Sequence, residues 1–595
     1  MTRLRRPFLA LGLLVVLLVM LVMTPGVASA HAQLESTEPS QSAVLLVPPT
    51  QVVLHFGEPV EIDFGSLRVI GPGGARVDAG AAHHPGGDSH AVATSLPAHL
   101  ADGTYVVAWR VISADSHPVH GAYVFSVGTA RGAARANALA VSIADQGGDT
   151  VVGVTYWCAR AAAFAGLLLL VGLAVVVSFL WREGGRSLRV GRVLWWSWGV
   201  LTVATLSGIV IQGVYASDLP LTDAYRPSLV SAVLHTRFGQ VEVLRLILLA
   251  AMVPVLLGLG GRLGRDGRSG GWVRWAACVV GVGLLATPGL AGHAATGDDP
   301  LLGLGLDVAH LLAASAWIGG LALLATFLVP RTPDDPTPTD PLALTLRVSS
   351  VAFAAVVVVV ATGVVQSIRQ VGSVYALFHT TYGRTLLVKI ALVVLLIALG
   401  AVSRRLVHRR SGNPSVPTVG RAGGVVTPVP SGGSTAVLEA VDAPADPSPL
   451  PRRKLRRMVL AELAVAFVVL GVTAALVNDV PAKQAADLPF SYSFSTLGVQ
   501  VNTIIDPART GSANQVHIYV LSSLGTPRAV PELDLTTSLP SQSIGPITVP
   551  LVISGPGHYF AGHVDFPVAG SWVLTYTVRT DAIDETVTRT VLPVH

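Results

Sequence analysis

Residues 156–181 read YWCARAAAFAGLLLLVGLAVVVSFLW, and this stretch decides the class of the protein. Its only charged residue is Arg160, and about 20 apolar residues are enough for a helix to cross the hydrocarbon core of a bilayer. The whole chain of 595 residues has the same bias, with 51% hydrophobic and only 13% charged residues. Soluble domains carry about a quarter of charged residues, so the sequence predicts an integral membrane protein.

Seven further apolar stretches predict a bundle of eight transmembrane helices within a domain at 155–480. The eight predicted spans are 156–181, 193–215, 241–259, 273–291, 304–329, 347–369, 385–402 and 458–478. Arg-rich connections alternate with Arg-poor ones, and a Pro-, Gly- and Ser-rich cytoplasmic loop at 403–457 is predicted to be disordered. Because cytoplasmic loops carry the excess of Lys and Arg, both chain ends are expected on the outer side of the plasma membrane. This pattern also explains the net charge of +5 without any nucleic-acid partner.

The segments on either side of the spans have a different composition. Residues 1–30 combine basic residues, an apolar run and the small-residue end Ala28-Ser29-Ala30, as a cleavable signal peptide does. Short alternating segments between turn signals predict β-structure at 31–130 and again at 486–595, with a linker at 131–154. We therefore expect a mixed multidomain fold: an N-terminal β-sandwich or barrel, an eight-helix transmembrane α-bundle and a C-terminal β-sandwich.

Histidine is the residue type that can serve a transition metal here, because there are 17 His but only two Cys and five Met. Cleavage after residue 30 would make His31 the N-terminus, which then offers its α-amine and its imidazole to one ion. Asp115 and His117 project to the same side of an extended segment. Such nitrogen and oxygen donors favour Cu(II), whereas an isolated Asp-x-His is also typical of a turn with an exposed His.

The two halves of this candidate site lie in motifs of a known family. HAQLESTEP at 31–39 and WRVISADSHPVHG at 109–121 resemble the CopC family of periplasmic copper-binding proteins. The resemblance implies a cupredoxin-like β-barrel in which His31, Asp115 and His117 bind Cu(II). The Met-rich Cu(I) loop of some CopC proteins has no counterpart, since this domain contains no Met.

Ionisable residues within the spans lie almost entirely in the predicted outer halves and indicate a polar vestibule. Asp307 and His310 share one helix face, so Asp307 can orient the imidazole as the partner of a metal ligand. His293 ends the preceding span and can approach His310 across a short loop. The other charged residues of these outer halves are compatible with interfacial anchoring, with a structural ion pair or with metal ligation, and they are Arg160, Glu242, Arg245 and Lys389.

DVAHLLAASAWIGGL at 307–321 and TYGRTLLVK at 381–389 resemble the CopD family of copper-resistance membrane proteins. The pair Gly319-Gly320 in the first motif is typical of close helix packing. This resemblance implies movement of copper across the membrane or its capture there, as Cu(II) or Cu(I). The chain as a whole is identified as a CopC–CopD fusion, and 486–595 resembles the YtkA-like β-domains.

These features favour a copper-binding membrane protein, not an enzyme, that captures Cu(II) outside and passes it to the bundle for transport, homeostasis and resistance. Its partners would be the copper ion, the bilayer, and other copper chaperones or a reductase. Two alternatives stay open: a copper-dependent redox enzyme built on the N-terminal His chelate, and a haem-binding electron-transfer protein with His293 and His310 as axial ligands. The sequence has no G-x-x-x-x-G-K-[ST] motif, which argues against ATP-driven pumping by this chain.

Overall fold

The computed structural model describes three units in succession along the chain, which are a β-domain, a helical bundle and a second β-domain. The described residues are 34–594 without 42, 63, 65–66, 114–115, 129–131, 145–148, 262–269, 293–298, 329–339, 412–451, 484–489 and 523–526. The predicted mixed multidomain fold is confirmed. The predicted signal peptide at 1–30 lies outside the described residues.

The N-terminal unit consists of two facing β-sheets with an apolar interior. Its strands are β1 Leu34–Glu38, β2 Val44–Leu45, β3 Gln51–Phe56, β4 Val60–Glu61, β5 Leu67–Ile70, β6 Ala79–His83, β7 Ala91–Ser95, β8 Gly103–Ser113 and β9 Pro118–Val127. One sheet has the order β1-β3-β7-β6, and the other has the order β2-β9-β8-β4 with β5 also paired to β8. Alternate residues of a strand point to one face, so Val52, Leu54 and Phe56 all enter the core.

The segment predicted as a linker differs in the structure. It contains helix α1, Ala133–Ala144, and the first long helix already begins at Thr150. Ala136 and Ala140 lie one helical turn apart and pack on the outer face of the second sheet beside Val106 and Val124. Small side chains at this spacing let the helix lie close to the sheet, and the pattern is too short to stand out in a sequence.

Within the described residues, the bundle contains ten α-helices. They are α2 Thr150–Leu180, α3 Leu188–Ser217, α4 Pro227–His235, α5 Arg237–Leu259, α6 Gly270–Ala291, α7 Pro300–Phe327, α8 Pro341–Val371, α9 Val374–His379, α10 Thr381–Ser411 and α11 Arg452–Asn478. In the described part of the chain, eight of these helices are long and apolar enough to span a membrane, all except α4 and α9. The predicted disordered loop begins within α10 and ends within α11, while 412–451 lies outside the described residues.

Helix α2 is central in the bundle and crosses α7 at very short range. A Cβ placed on Gly172 of α2 would lie 1.9 Å from the carbonyl oxygen of Ser315. A Cβ placed on Gly319 of α7 would lie 2.2 Å from the carbonyl carbon of Gly172. The crossing therefore depends on glycine in both helices, as expected where backbones meet in a membrane.

The C-terminal unit is a second sandwich of two antiparallel sheets. Its strands are β10 Phe490–Thr496, β11 Val499–Asp506, β12 Gly511–Ser522, β13 Glu532–Leu539, β14 Ile544–Thr548, β15 Val552–Gly555, β16 His558–Phe566, β17 Gly570–Arg579 and β18 Glu585–Val594. The sheets have the orders β10-β11-β12-β16-β15 and β14-β13-β17-β18. Phe566, Trp572 and Tyr576 fill the space between them and are completely buried.

Candidate functional site

The tip of the β8–β9 hairpin carries one of the predicted copper ligands, His117. Ser113, the last residue of β8, holds the tip closed: its backbone N–H and its hydroxyl donate to the His117 carbonyl oxygen at 2.9 and 3.0 Å. Ser116 has a φ of +73° and turns the chain back into β9. The other two predicted ligands, His31 and Asp115, lie outside the described residues.

The hairpin tip is inserted between the ends of the membrane helices. The Ser116 hydroxyl donates to the carbonyl oxygen of Ala291 at the end of α6, at 3.1 Å. The side-chain amide of Gln212 in α3 donates to the Ser116 carbonyl oxygen at 3.2 Å. Nearby, the backbone N–H of Arg237 at the start of α5 donates to the Glu61 carboxylate at 3.0 Å. These contacts define the β-domain end of the bundle.

His117 itself contacts the last membrane helix. Its side chain is buried, with 7% of the residue exposed, and its Nε2 lies 2.9 Å from the carbonyl oxygen of Val477 in α11. A carbonyl oxygen only accepts, so Nε2 carries the proton and donates it. In the neutral ring the lone pair is then on Nδ1. A metal-binding His characteristically donates its second nitrogen to a backbone carbonyl in this way.

Arg110 in β8 fastens the domain to the end of α3. Its Nε donates to the carbonyl oxygen of Ala216 at 2.5 Å, and its Nη2 donates to that of Tyr215 at 3.1 Å. Its Nη1 also lies 3.7 Å from an Asp218 carboxylate oxygen. Burial lowers the pKa of Arg110, although the neighbouring Asp218 opposes this effect. The sequence did not reveal this role, because a single Arg within a strand usually faces water.

A small, mainly apolar cavity with a few charged side chains in its lining lies in the bundle beside the hairpin tip. This bundle cavity has a volume of about 70 Å³, and its polar lining includes His117, Arg160, Glu242 and Arg245. Arg245 donates from Nη1 to both carboxylate oxygens of Glu242 at 2.6 Å, and from Nε to the hydroxyl of Thr287 at 2.7 Å. Arg160 donates to the side-chain oxygen of Asn478. Glu242 and Arg245 thus form a structural ion pair, one of the interpretations that the sequence allows for these charges, whereas Arg160 bonds to an uncharged side chain.

The predicted membrane site at His310 lies between α7 and α8. The Thr362 hydroxyl donates to the carbonyl oxygen of Val358 at 2.7 Å, so it accepts from Nδ1 of His310 at 2.8 Å. The lone pair of the neutral His310 ring is therefore on Nε2. Asp307 accepts a hydrogen bond from the side-chain amide of Gln366 at 2.5 Å. Both residues consequently bridge the same two helices, while His293 lies outside the described residues.

A much larger space lies between the bundle and the two β-domains, beside their direct contacts. This interdomain chamber has a volume of about 1500 Å³, and residues from all three units line it, among them Trp109, His117, His120, His379, Asp479 and His517. His117 lines the chamber and the bundle cavity alike. Burial raises the pKa of Asp479, although Thr385 and the neighbouring His117 oppose this effect. Asp479 was not among the candidate residues predicted from the sequence. Its position directly after the last apolar run could have indicated a carboxylate at the outer end of that helix.

Two histidines of the C-terminal domain meet on the opposite wall of the chamber. Nδ1 of His517 lies 3.1 Å from Nε2 of His558. Burial lowers the pKa of His517; burial and the neighbouring His517 lower that of His558 to about 4. Within the described residues, no three His, Cys, Asp or Glu side chains are grouped closely enough to form a metal site.

Three family models match successive parts of the chain. The CopC domain matches 34–128, the copper resistance protein D-like N-terminal domain matches 150–304, and copper resistance protein D matches 342–429. The first match contains the hairpin with Arg110 and His117. The second contains the bundle-cavity residues Glu242 and Arg245.

Individual proteins show the same likeness. Copper transport protein CutJ of Bacillus subtilis (strain 168) is 29% identical over 448 residues, which cover 73% of this chain and 79% of that protein. Protein YobA of Escherichia coli (strain K12) is 34% identical over 106 residues, which cover 18% of this chain and 85% of that protein. The crystal structure of CopC from Methylosinus trichosporium OB3b has 33% identity and a TM-score of 0.15, covering 16% of this chain and 93% of that chain. The chain belongs to the copper resistance protein family, as a fusion of a CopC domain with a CopD membrane domain.

Proposed function

We propose that this protein captures Cu(II) with its CopC domain on the outer side of the plasma membrane and passes the ion to the CopD bundle for transport. The observation that carries the proposal is the position of His117, which lines both the interdomain chamber and the bundle cavity. An ion held by this side chain has the wide chamber on one side and, on the other, the bundle cavity with the Glu242–Arg245 pair in its lining. No enzymatic step is part of the proposal, and copper chaperones or a reductase are its expected partners.

The proposed Cu(II) ligands are the α-amine and imidazole of His31, the Asp115 carboxylate and Nδ1 of His117. The hydrogen bond from Nε2 to the Val477 carbonyl supports the choice of Nδ1, because it fixes both the tautomer and the orientation of the ring. It also supports transfer toward the bundle, since the acceptor belongs to the last membrane helix.

Within the bundle, we propose that His310 and His293 bind the copper, as Cu(I) or Cu(II). His310 would bind through Nε2, because its Nδ1 proton is directed at Thr362. Asp307 would hold α7 against α8 beside this ring through its hydrogen bond with Gln366. This pair of contacts across one helix interface supports a fixed position for the imidazole.

The distribution of arginine supports the proposed orientation in the membrane. Arg182 and Arg186 lie between α2 and α3, and Arg189 lies in the first turn of α3, at the end of the bundle opposite the β-domains. Arg453 and Arg456 begin α11 at that same end. Cytoplasmic ends of spans carry this excess of basic residues. Both β-domains would then be extracytoplasmic.

The test compares cellular copper in cells that express the wild-type chain, His117→Ala or His99→Ala at equal levels, measured by mass spectrometry at a fixed copper supply. His99 is an exposed histidine of the same domain and serves as the matched control. We expect the change in copper content caused by the wild-type chain to disappear with His117→Ala and to persist with His99→Ala. An unchanged effect of His117→Ala would refute the proposed route, and a Soret band of the purified protein would favour the haem alternative instead.

A further inference from the structure

One face of the C-terminal sandwich lines the interdomain chamber, and it carries a cluster of two histidine and two aromatic side chains. Strands β12 and β16 are antiparallel neighbours, with His517 opposite Phe560 and Tyr519 opposite His558. Residues two apart on a strand share a face, so these four side chains lie together on one side of the sheet. The intervening Ile518 points to the other side and is completely buried in the core.

The two histidines of this cluster are diagonal neighbours held by their surroundings. Their rings are nearly parallel, at 13°, with centroids 5.4 Å apart. The Tyr519 ring stacks on His558 at 4.5 Å, and the Phe560 ring lies 4.7 Å from His517. Diagonal pairs on adjacent strands are within reach of long side chains, and here the ring contacts fix which nitrogens face each other.

The separation of the facing nitrogens is the distance that a metal ion requires. Metal–imidazole bonds measure about 2.0 Å, so two ligands at an angle of about 100° have nitrogens about 3.1 Å apart. His517 Nδ1 and His558 Nε2 are separated by 3.1 Å. A hydrogen bond at this distance needs one proton between the two nitrogens. A metal bound by both nitrogens needs both lone pairs, so the proton would move to the other nitrogen of the same ring, and the metal would lie to one side of the line between the two nitrogens.

We propose that His517 and His558 form a second copper site of the chamber, besides that of the CopC domain, in the part of the wall that the C-terminal domain contributes. Imidazole nitrogen suits copper, and the chamber places this pair in the same space as His117. The choice of copper over another imidazole-binding metal rests on the proposed function. The site itself rests on the paired nitrogens, their aromatic support and their position in the chamber wall.

The experiment is a titration of the purified full-length protein in detergent with copper sulfate, with bound copper per chain measured after gel filtration. The variants are His517→Ala, His558→Ala and His563→Ala, where His563 is an exposed residue of the same strand β16 and serves as the control. Loss of one ligand should weaken the second site at least about tenfold, as loss of even an indirect partner of a metal does. His563→Ala should bind copper like the wild type.

A second measurement does not depend on the folding of any variant. Electron paramagnetic resonance of the wild-type protein should resolve, besides the Cu(II) signal of the CopC domain, a later one coupled to two imidazole nitrogens. This later signal should persist in His310→Ala, which removes a ligand of the proposed bundle site. Equal copper stoichiometry and affinity in all three variants and the wild type, or a single Cu(II) signal at full loading, would overturn the second site. His117→Ala separates the two proposals: it should remove the first signal alone, and retention of both signals would refute the role of His117 while leaving the histidine pair intact.

Discussion

Replacing Gly172 with alanine is expected to destabilise the bundle, because this residue lies where α2 and α7 are in backbone contact. The added Cβ would lie 1.9 Å from the Ser315 carbonyl oxygen, whereas ordinary contact begins at 3.4 Å. No side-chain rotation relieves this overlap, since the obstructing atom belongs to the backbone. The two helices have to separate along their shared crossing.

The size of the effect follows from two opposing contributions. Overpacking in a well-packed interior costs about 1–3 kcal/mol, and a contact with immovable backbone on both helices belongs at the upper end. Alanine gains about 1 kcal/mol over glycine in helix propensity. The net expectation for Gly172→Ala is a loss of about 2 kcal/mol, and Gly319→Ala, which meets the Gly172 backbone, should behave alike.

The assay is thermal unfolding of the purified protein in detergent, followed by circular dichroism at 222 nm. Gly305→Ala is the matched control, because Gly305 lies in α7, the helix of Gly319, and a Cβ there would meet nothing within 4 Å. The control should unfold at the wild-type temperature or above it. Equal unfolding temperatures for Gly172→Ala and Gly305→Ala would refute the close crossing of α2 and α7.

Three other predictions concern charged residues. Arg110→Met keeps the aliphatic stem but removes two charge-assisted hydrogen bonds to the end of α3, so the CopC domain should detach more easily from the bundle. Hydrogen exchange of the backbone amides at that helix end should then rise at least tenfold. Unchanged protection of these amides would contradict the docking contact. Glu242→Gln leaves the Arg245 charge buried without a compensating charge and should lower the free energy of unfolding of the bundle by about 3–5 kcal/mol. If the variant unfolds at the same temperature as the wild type, the result argues against a buried ion pair. Burial by itself would raise the pKa of Asp78, but hydrogen bonds from Arg76 and a backbone N–H lower it below the ordinary value of 3.8. The stabilisation that the Asp78 carboxylate contributes is fully present above pH 3.8 and is lost as the pH falls through its lower folded-state pKa. Hydrogen exchange in β5 should therefore rise with acid in the wild type, and Asp78→Asn should abolish this rise. The same rise in the wild type and the variant would contradict the prediction.

The sequence predicted the fold because its main signals are local. An uninterrupted apolar run such as 156–181 specifies a membrane helix without reference to the rest of the chain. Alternation along β11 likewise specifies a strand with one buried face. Helix α1 was missed because its contact with the sheet uses only a few small residues, a pattern that composition does not distinguish from a linker.

The site was predictable only where a motif carried it. His117 stands in the quoted motif, whereas its contact with Val477 joins residues 360 positions apart. His517 and His558 each alternate with an aromatic residue, which a strand pattern can show. Their meeting depends on the pairing of β12 with β16, and register across a sandwich is set by the whole core rather than by either strand.

The interdomain chamber also has a consequence for the kinetics of the proposed copper transfer. One ion confined to about 1500 Å³ corresponds to a local concentration of about 1 M, far above that of any metal ion free in the medium. A wall ligand with a dissociation constant in the millimolar range is then filled for most of the time that the ion spends inside. Because the proposed donor and acceptor belong to one chain, the transfer would be first-order, with a rate constant that does not depend on how many copies the cell makes.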